Sequence, residues 1–176
     1  MKQIDKMNNN SSLANLPVKR LLFCFFVQGF YSLVIQSLLF REFLVVYFGN
    51  ELVIGMLLGS WLIAISIGSW LYPRVFKQET DRIKWIRWLM LLLAILPFIQ
   101  VFIIRGARGF LSVPLGLMLP FIPGLIYAFI VIVPVGLLLG MLFPLGAGIM
   151  EPVGPKGTAW LYSAESLGFM AGGVTF

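Results

Sequence analysis

Apolar residues run through this chain in long blocks, not in the two-residue alternation of a surface strand or the single stripe of a soluble helix. The first block, Leu21 to Phe40, follows Pro17, Lys19 and Arg20. Twenty helical residues rise about 30 Å, the depth of a hydrocarbon core, so the block predicts a membrane-crossing helix. Arg41 and Glu42 close it, and Phe43 to Phe48 is a short apolar stretch suited to the interface. A second span, Leu52 to Leu71, opens after Asn50 and Glu51 and holds no charged residue. The third covers about Ile86 to Ile104, with Pro97 as a kink, and Arg105, Gly106, Arg108 and Gly109 end it. Phe110 to Ile122 is too short to cross and is broken by Pro114 and Pro120, which predicts an interfacial or re-entrant piece. The fourth span is about Gly124 to Leu145, with Pro134 and Pro144 inside it. A fifth helix is expected from about Ser163 to Phe176, too short to reach the far side.

The predicted fold is therefore all-α, a polytopic transmembrane bundle with four full spans and an incomplete fifth. Residues 1–20 form a polar, mobile cytoplasmic tail and residues 21–176 the membrane module. The unfinished last helix predicts a fragment, or one half of a split protein. Its partners would be the lipid bilayer and another membrane polypeptide, or a missing C-terminal part, that completes the bundle.

Composition agrees. The chain is 60% hydrophobic and 11% charged, whereas a soluble domain is about a quarter charged. Too few charges remain to cover a globular surface, which excludes an ordinary soluble enzyme, a disulfide scaffold and a disordered chain. The net charge of +6 does not point to nucleic acid, because the basic residues stand at the ends of apolar runs, where they act as topology signals. With the N-terminus inside, the cytoplasmic side receives Lys2, Lys6, Lys19, Arg20, Arg74, Lys77, Arg82, Lys84, Arg87 and Lys156; the outside receives Arg41, Arg105 and Arg108. That asymmetry predicts an N-in, multi-pass protein. Trp85 and Trp88 sit where an interfacial aromatic belt places them.

Chemistry-bearing residues are scarce: there is no His and a single cysteine, Cys24. No phosphate-binding loop, Cys/His ligand cluster or Ser-His-Asp set occurs, so catalytic, cofactor-binding and metal residues are each expected to be none, and no cofactor is expected in this chain. Glu165 stands in an apolar helix, where an ionisable group costs on the order of 3 kcal/mol and usually faces protein or water. It reads as a cation or proton site, or as an interfacial carboxylate paired to a base. Gln28 and Gln36, about 80° apart around the first helix, share a broad face suited to interhelical hydrogen bonds or to a polar path. Glu42 and Glu51 sit at span ends, where solvation or ion pairing is the ordinary role. Three glycine pairs four residues apart, Gly55 and Gly59, Gly136 and Gly140, Gly168 and Gly172, predict close helix packing.

The run Arg41-Glu42-Phe43-Leu44-Val45-Val46-Tyr47-Phe48-Gly49-Asn50-Glu51-Leu52, with Ile54-Gly55, Trp61-Leu62 and Gly68-Ser69, resembles the membrane part of bacterial spermidine synthase-like proteins. So do Phe143-Pro144-Leu145, the segment Leu161 to Gly168, and Gly172-Gly173. The resemblance covers about Leu21 to Phe176. It implies the bacterial inner membrane and a longer protein, with further spans and an aminopropyltransferase-like domain that binds decarboxylated S-adenosylmethionine and a polyamine. Those ligand motifs have no counterpart here, so no catalytic residue carries over. Many relatives carry Asn at the position of Glu165, and a subset shares the Glu. The stretch Gly68 to Arg74 also resembles a loop of major-facilitator transporters, though incompletely. The expected function is a non-catalytic membrane module that anchors or scaffolds a partner. The alternatives are half of a small-cation or polyamine transporter, and an accessory subunit of a larger membrane complex.

Overall fold

The computed structural model describes residues 2–48, 51–76, 81–114, 117 and 119–175; for residues 2–17 only the backbone is described. Six α-helices follow one another: α1 (Lys2–Val46), α2 (Glu51–Val75), α3 (Arg82–Arg105), α4 (Ala107–Phe110), α5 (Phe121–Met150) and α6 (Pro155–Thr175), with a 3-10 turn at Glu151–Val153. Among the described residues there is no strand. Four helical stretches are long and apolar enough to cross a membrane: Val18–Val46, Glu51–Val75, Arg82–Arg105 and Phe121–Val153. The protein is an all-α helical membrane protein.

Several expected boundaries move, each for a physical reason. The polar tail is helical from Lys2 instead of irregular, because extending an existing helix costs far less than nucleating one. Arg41 and Glu42 do not end α1, which runs on to Val46. Glu42 is ion-paired, and Phe43 and Val46 are buried rather than interfacial. Helix α3 starts at Arg82, where the Asp81 carboxylate accepts a hydrogen bond from the Lys84 amide as an N-cap. Helix α6 begins at Pro155, not near Ser163, and has 21 residues, a rise of about 30 Å. The expected shortfall in length is thereby corrected. Gly154 turns the chain at φ 81° and Pro155 presets the first helical residue. Hydropathy places a break at Lys156 to Thr158, but polarity alone does not stop a helix.

The chain divides into two compact units, one formed by Met1–Val34 with Gly146–Phe176 and the other by Ile35–Leu145. In the second unit α2 and α5 cross closely. A side chain at Gly68 would strike the Leu137 carbonyl, and side chains at Gly136 and Gly140 would strike Ala64, Ile65 and Ser69. Gly136 and Gly140 thus both face α2. Gly55 and Gly59, expected to pack in the same way, have open space on the side where a side chain would stand. Glycine spacing alone does not say which face meets a neighbour, and Gly55 lies on the exposed face of α2.

Proline chemistry accounts for the polar contact of this crossing, and α5 makes further polar contacts with α3. Pro144 has no N–H, so the Gly140 carbonyl four residues earlier loses its helical donor. The Ser69 hydroxyl of α2 donates to that carbonyl at 3.0 Å. Pro134 similarly deprives the Ile130 carbonyl, and the adjacent carbonyl, Val131, receives the side-chain amide of Gln100, itself only 2% exposed. Tyr127 donates its hydroxyl to the Ile103 carbonyl in the last turn of α3.

Ser69→Ala should destabilise the protein by about 0.6–1.7 kcal/mol, the range measured for interhelical hydrogen bonds in membranes. In a Pro144→Ala background, which restores the missing backbone donor, the same substitution should cost much less. Equilibrium unfolding of the four proteins of this double-mutant cycle measures the difference.

Candidate functional site

The first unit brings Gln28 and Glu165 together. Glu165 is the central residue of the segment 155–175, so the start of α6 at Pro155 moves it from the edge of a helix to the middle. The Gln28 side-chain amide donates to Glu165 Oε1 at 3.0 Å, linking residues 137 apart in sequence. Gln28 is 4% exposed, and its Oε1 has no hydrogen-bond partner among the described residues. Glu165 is half-buried.

Glycine makes this meeting possible. A side chain at Gly29 would run into the Glu165 carbonyl and Phe169, and one at Gly168 into the Phe26 carbonyl. Gly172 faces Phe30 and Leu33. On α1 the contact row is Phe26, Gly29, Phe30, Leu33; on α6 it is Glu165, Gly168, Phe169, Gly172. Both rows follow the three-and-four spacing of one helix face. The paired side chains therefore stand at the point where the two backbones approach most closely. Gly168 and Gly172 both lie against α1. Gly29 carries an equal share of the contact, yet no second glycine four residues away marks it in the sequence.

The other expected site residues are dispersed. Gln36 is half-buried and belongs to the second unit, so the two glutamines do not form one site within either unit. Glu51 is the exposed first residue of α2, where a carboxylate suits the positive end of the helix. Glu42 forms a bidentate pair with Arg105, with Nε at 2.8 Å and Nη2 at 2.9 Å. Cys24 is exposed. Among the described residues no group of three His, Cys, Asp or Glu side chains is arranged to hold a metal ion.

A second polar cluster closes the end of α1. Phe48 adopts φ 58°, a left-handed conformation that favours glycine and costs other residues roughly 1–2 kcal/mol. Arg108 lies 4.4 Å over the Phe48 ring and donates to the carbonyls of Val46 and Leu117, each at 3.3 Å. A cation on the last carbonyls of a helix also meets the negative end of its dipole. Tyr47, just past the span, packs against Gly124; burial pushes its phenol up to about 12, so it stays neutral at physiological pH. In the sequence, Arg105 and Arg108 register only as charges opposing the expected orientation. In the fold, both are fasteners of the α1 terminus.

Gly168→Val should lower the thermal midpoint markedly, because its branches meet backbone that has nowhere to go. Gly55→Val, on an open face, should leave the midpoint nearly unchanged. Thermal unfolding of both variants in the same detergent compares them directly.

No protein-family model, curated protein or solved structure matches this chain.

Proposed function

We propose that this chain is a non-catalytic membrane module that anchors or scaffolds a partner protein. The supporting observation is how its polar side chains are used. Ser69, Gln100, Tyr127 and Gln28 each hydrogen-bond to a group on another helix, as expected of a bundle built for fixed packing. Outward faces carry large apolar side chains, among them Leu62, Phe98, Phe102 and Ile130, which suit lipid or a membrane-embedded partner. The sequence resemblance gives the partner its class: an aminopropyltransferase-like domain or subunit.

The rival reading, half of a small-cation or polyamine transporter, draws on one feature, the carboxyl group of Glu165 halfway along α6. Scaffolding accounts for more, because Glu165 is itself committed to a neighbouring helix. We place the protein in the bacterial inner membrane with its N-terminus in the cytoplasm. Of the basic residues that count against this orientation, Arg105 is balanced by Glu42 and Arg108 is held by the end of α1.

A partner that co-purifies and carries aminopropyl transfer activity supports the scaffold, and the purified chain alone should transfer no aminopropyl group. Uptake of polyamine or small cations into proteoliposomes, abolished by Glu165→Gln, would refute it in favour of transport. Orientation is read with single cysteines in a Cys24→Ser background. An impermeant maleimide on intact cells should label Pro114→Cys and not Lys84→Cys; the opposite pattern reverses the topology.

A further inference from the structure

We propose that Glu165 is a proton-binding site: its side chain stands as a neutral carboxylic acid that donates its proton to the Gln28 carbonyl while accepting from the Gln28 amide. The two groups then form a cyclic acid–amide pair with two hydrogen bonds. This holds for a scaffold and for a transporter alike, so its test is separate from that of either function.

The geometry leaves one acceptor unfilled. Gln28 gives an N–H to Glu165 Oε1, while its own Oε1 is buried without a partner among the described residues. An ionised carboxylate is acceptor-only and offers nothing to that oxygen. A protonated one has a hydroxyl, and carboxylic acid and primary amide have matching donor–acceptor edges. Turning the amide over does not remove the need, because its carbonyl would then face Glu165 Oε1, and only a proton makes two oxygens at that distance attractive. The proton comes from water, and no other group changes.

Among the described side chains of this unit, no basic residue stands beside the pair. Three stretches make up this unit beside the pair. On α1, the stretch around Gln28 reads Phe25, Phe26, Val27, Gln28, Gly29 and Phe30, none of them ionisable. On α5, Gly146 packs against Phe25 and Leu161, and Gly146 to Met150 holds no ionisable residue. On α6, the flanking turns carry Tyr162, Ser163, Ser166 and Phe169. The charged residues with described side chains in this unit are Lys19, Arg20, Glu151 and Lys156, all exposed. Arg20 lies about 12 Å along α1 from Gln28, and Lys156 about 13 Å along α6 from Glu165, at the rise of an α-helix. Gly29 and Gly168 hold the two backbones together at the pair, and Gln28 is 4% exposed.

Isotope-edited infrared spectroscopy of the full chain in phospholipid nanodiscs tests the site. With carboxyl-labelled glutamate in neutral buffer, a hydrogen-bonded carboxylic-acid carbonyl band should appear, shifted by the label and lost in Glu165→Gln. In Gln28→Leu, which keeps the acid and removes its amide partner, the band should persist at higher frequency. Glu165→Gln should retain the wild-type thermal midpoint within a few degrees, because an amide–amide pair replaces the acid–amide pair. Absence of a label-sensitive acid band from the wild type at neutral pH, with carboxylate bands alone, overturns the proposal. So does a band in the wild type that Gln28→Leu leaves at the same frequency. Should Glu165→Gln fail to fold, the wild-type and Gln28→Leu spectra still decide.

Discussion

In hydrocarbon there is no water to accept or donate a hydrogen bond, so every backbone group displaced from helical pairing must find a partner within protein. That constraint explains most of the polar architecture here. Helix α5 carries Pro134 and Pro144 and must dispose of the carbonyls they strand. Ser69 takes one, and Gln100 serves the carbonyl beside the other. The end of α3 is closed by Tyr127 and the end of α1 by Arg108. Polar side chains in these helices behave as local repairs to the backbone, each contributing on the order of a kcal/mol while fixing which helix lies beside which.

Close packing has to be supplied differently from a soluble protein, because lipid tails are as apolar as Leu and burial gives helices little reason to associate. Both crossings solve this by the same device on opposite partners. Gly29 of α1 faces α6 while Gly168 and Gly172 of α6 face α1. Gly68 of α2 faces α5 while Gly136 and Gly140 of α5 face α2. Glycine on both sides brings backbone to backbone, which gathers dispersion contacts and brings side chains as short as Ser69 within reach of a neighbour's carbonyl. In the first unit the same approach sets Gln28 against Glu165.

The helical membrane fold was legible because blocks of apolar residues as long as a bilayer is thick are stable in hardly any other solvent. The ends were not, because hydropathy reports where lipid is preferred and not where hydrogen bonding stops. Arg41, Glu42 and Lys156 look like terminators on a hydropathy scale, yet all three are helical, Glu42 through a bidentate partner distant in sequence. Gln28 and Glu165 were each visible as polar residues in apolar surroundings, but their meeting depends on the α1–α6 crossing and so on Gly29, which has no spacing partner. Gly55 and Gly59 show the converse, a pattern without an interface. The role of Ser69 follows from a rule a sequence does carry, that a proline strands the carbonyl four residues before it, although which helix supplies the donor is a tertiary fact.

The separation between Gln28 and Glu165 bears on biosynthesis. At about 5–20 residues per second, roughly 7 to 27 s pass between the emergence of one and the other, given their 137-residue interval. Until α6 is made, the Gln28 side chain and the Gly29 face of α1 have no Glu165 or Gly168 to meet. α6 is not among the four described helices long and apolar enough to cross a membrane. The contact that joins α1 to α6 is thus among the last to form during synthesis, long after its first half has been made.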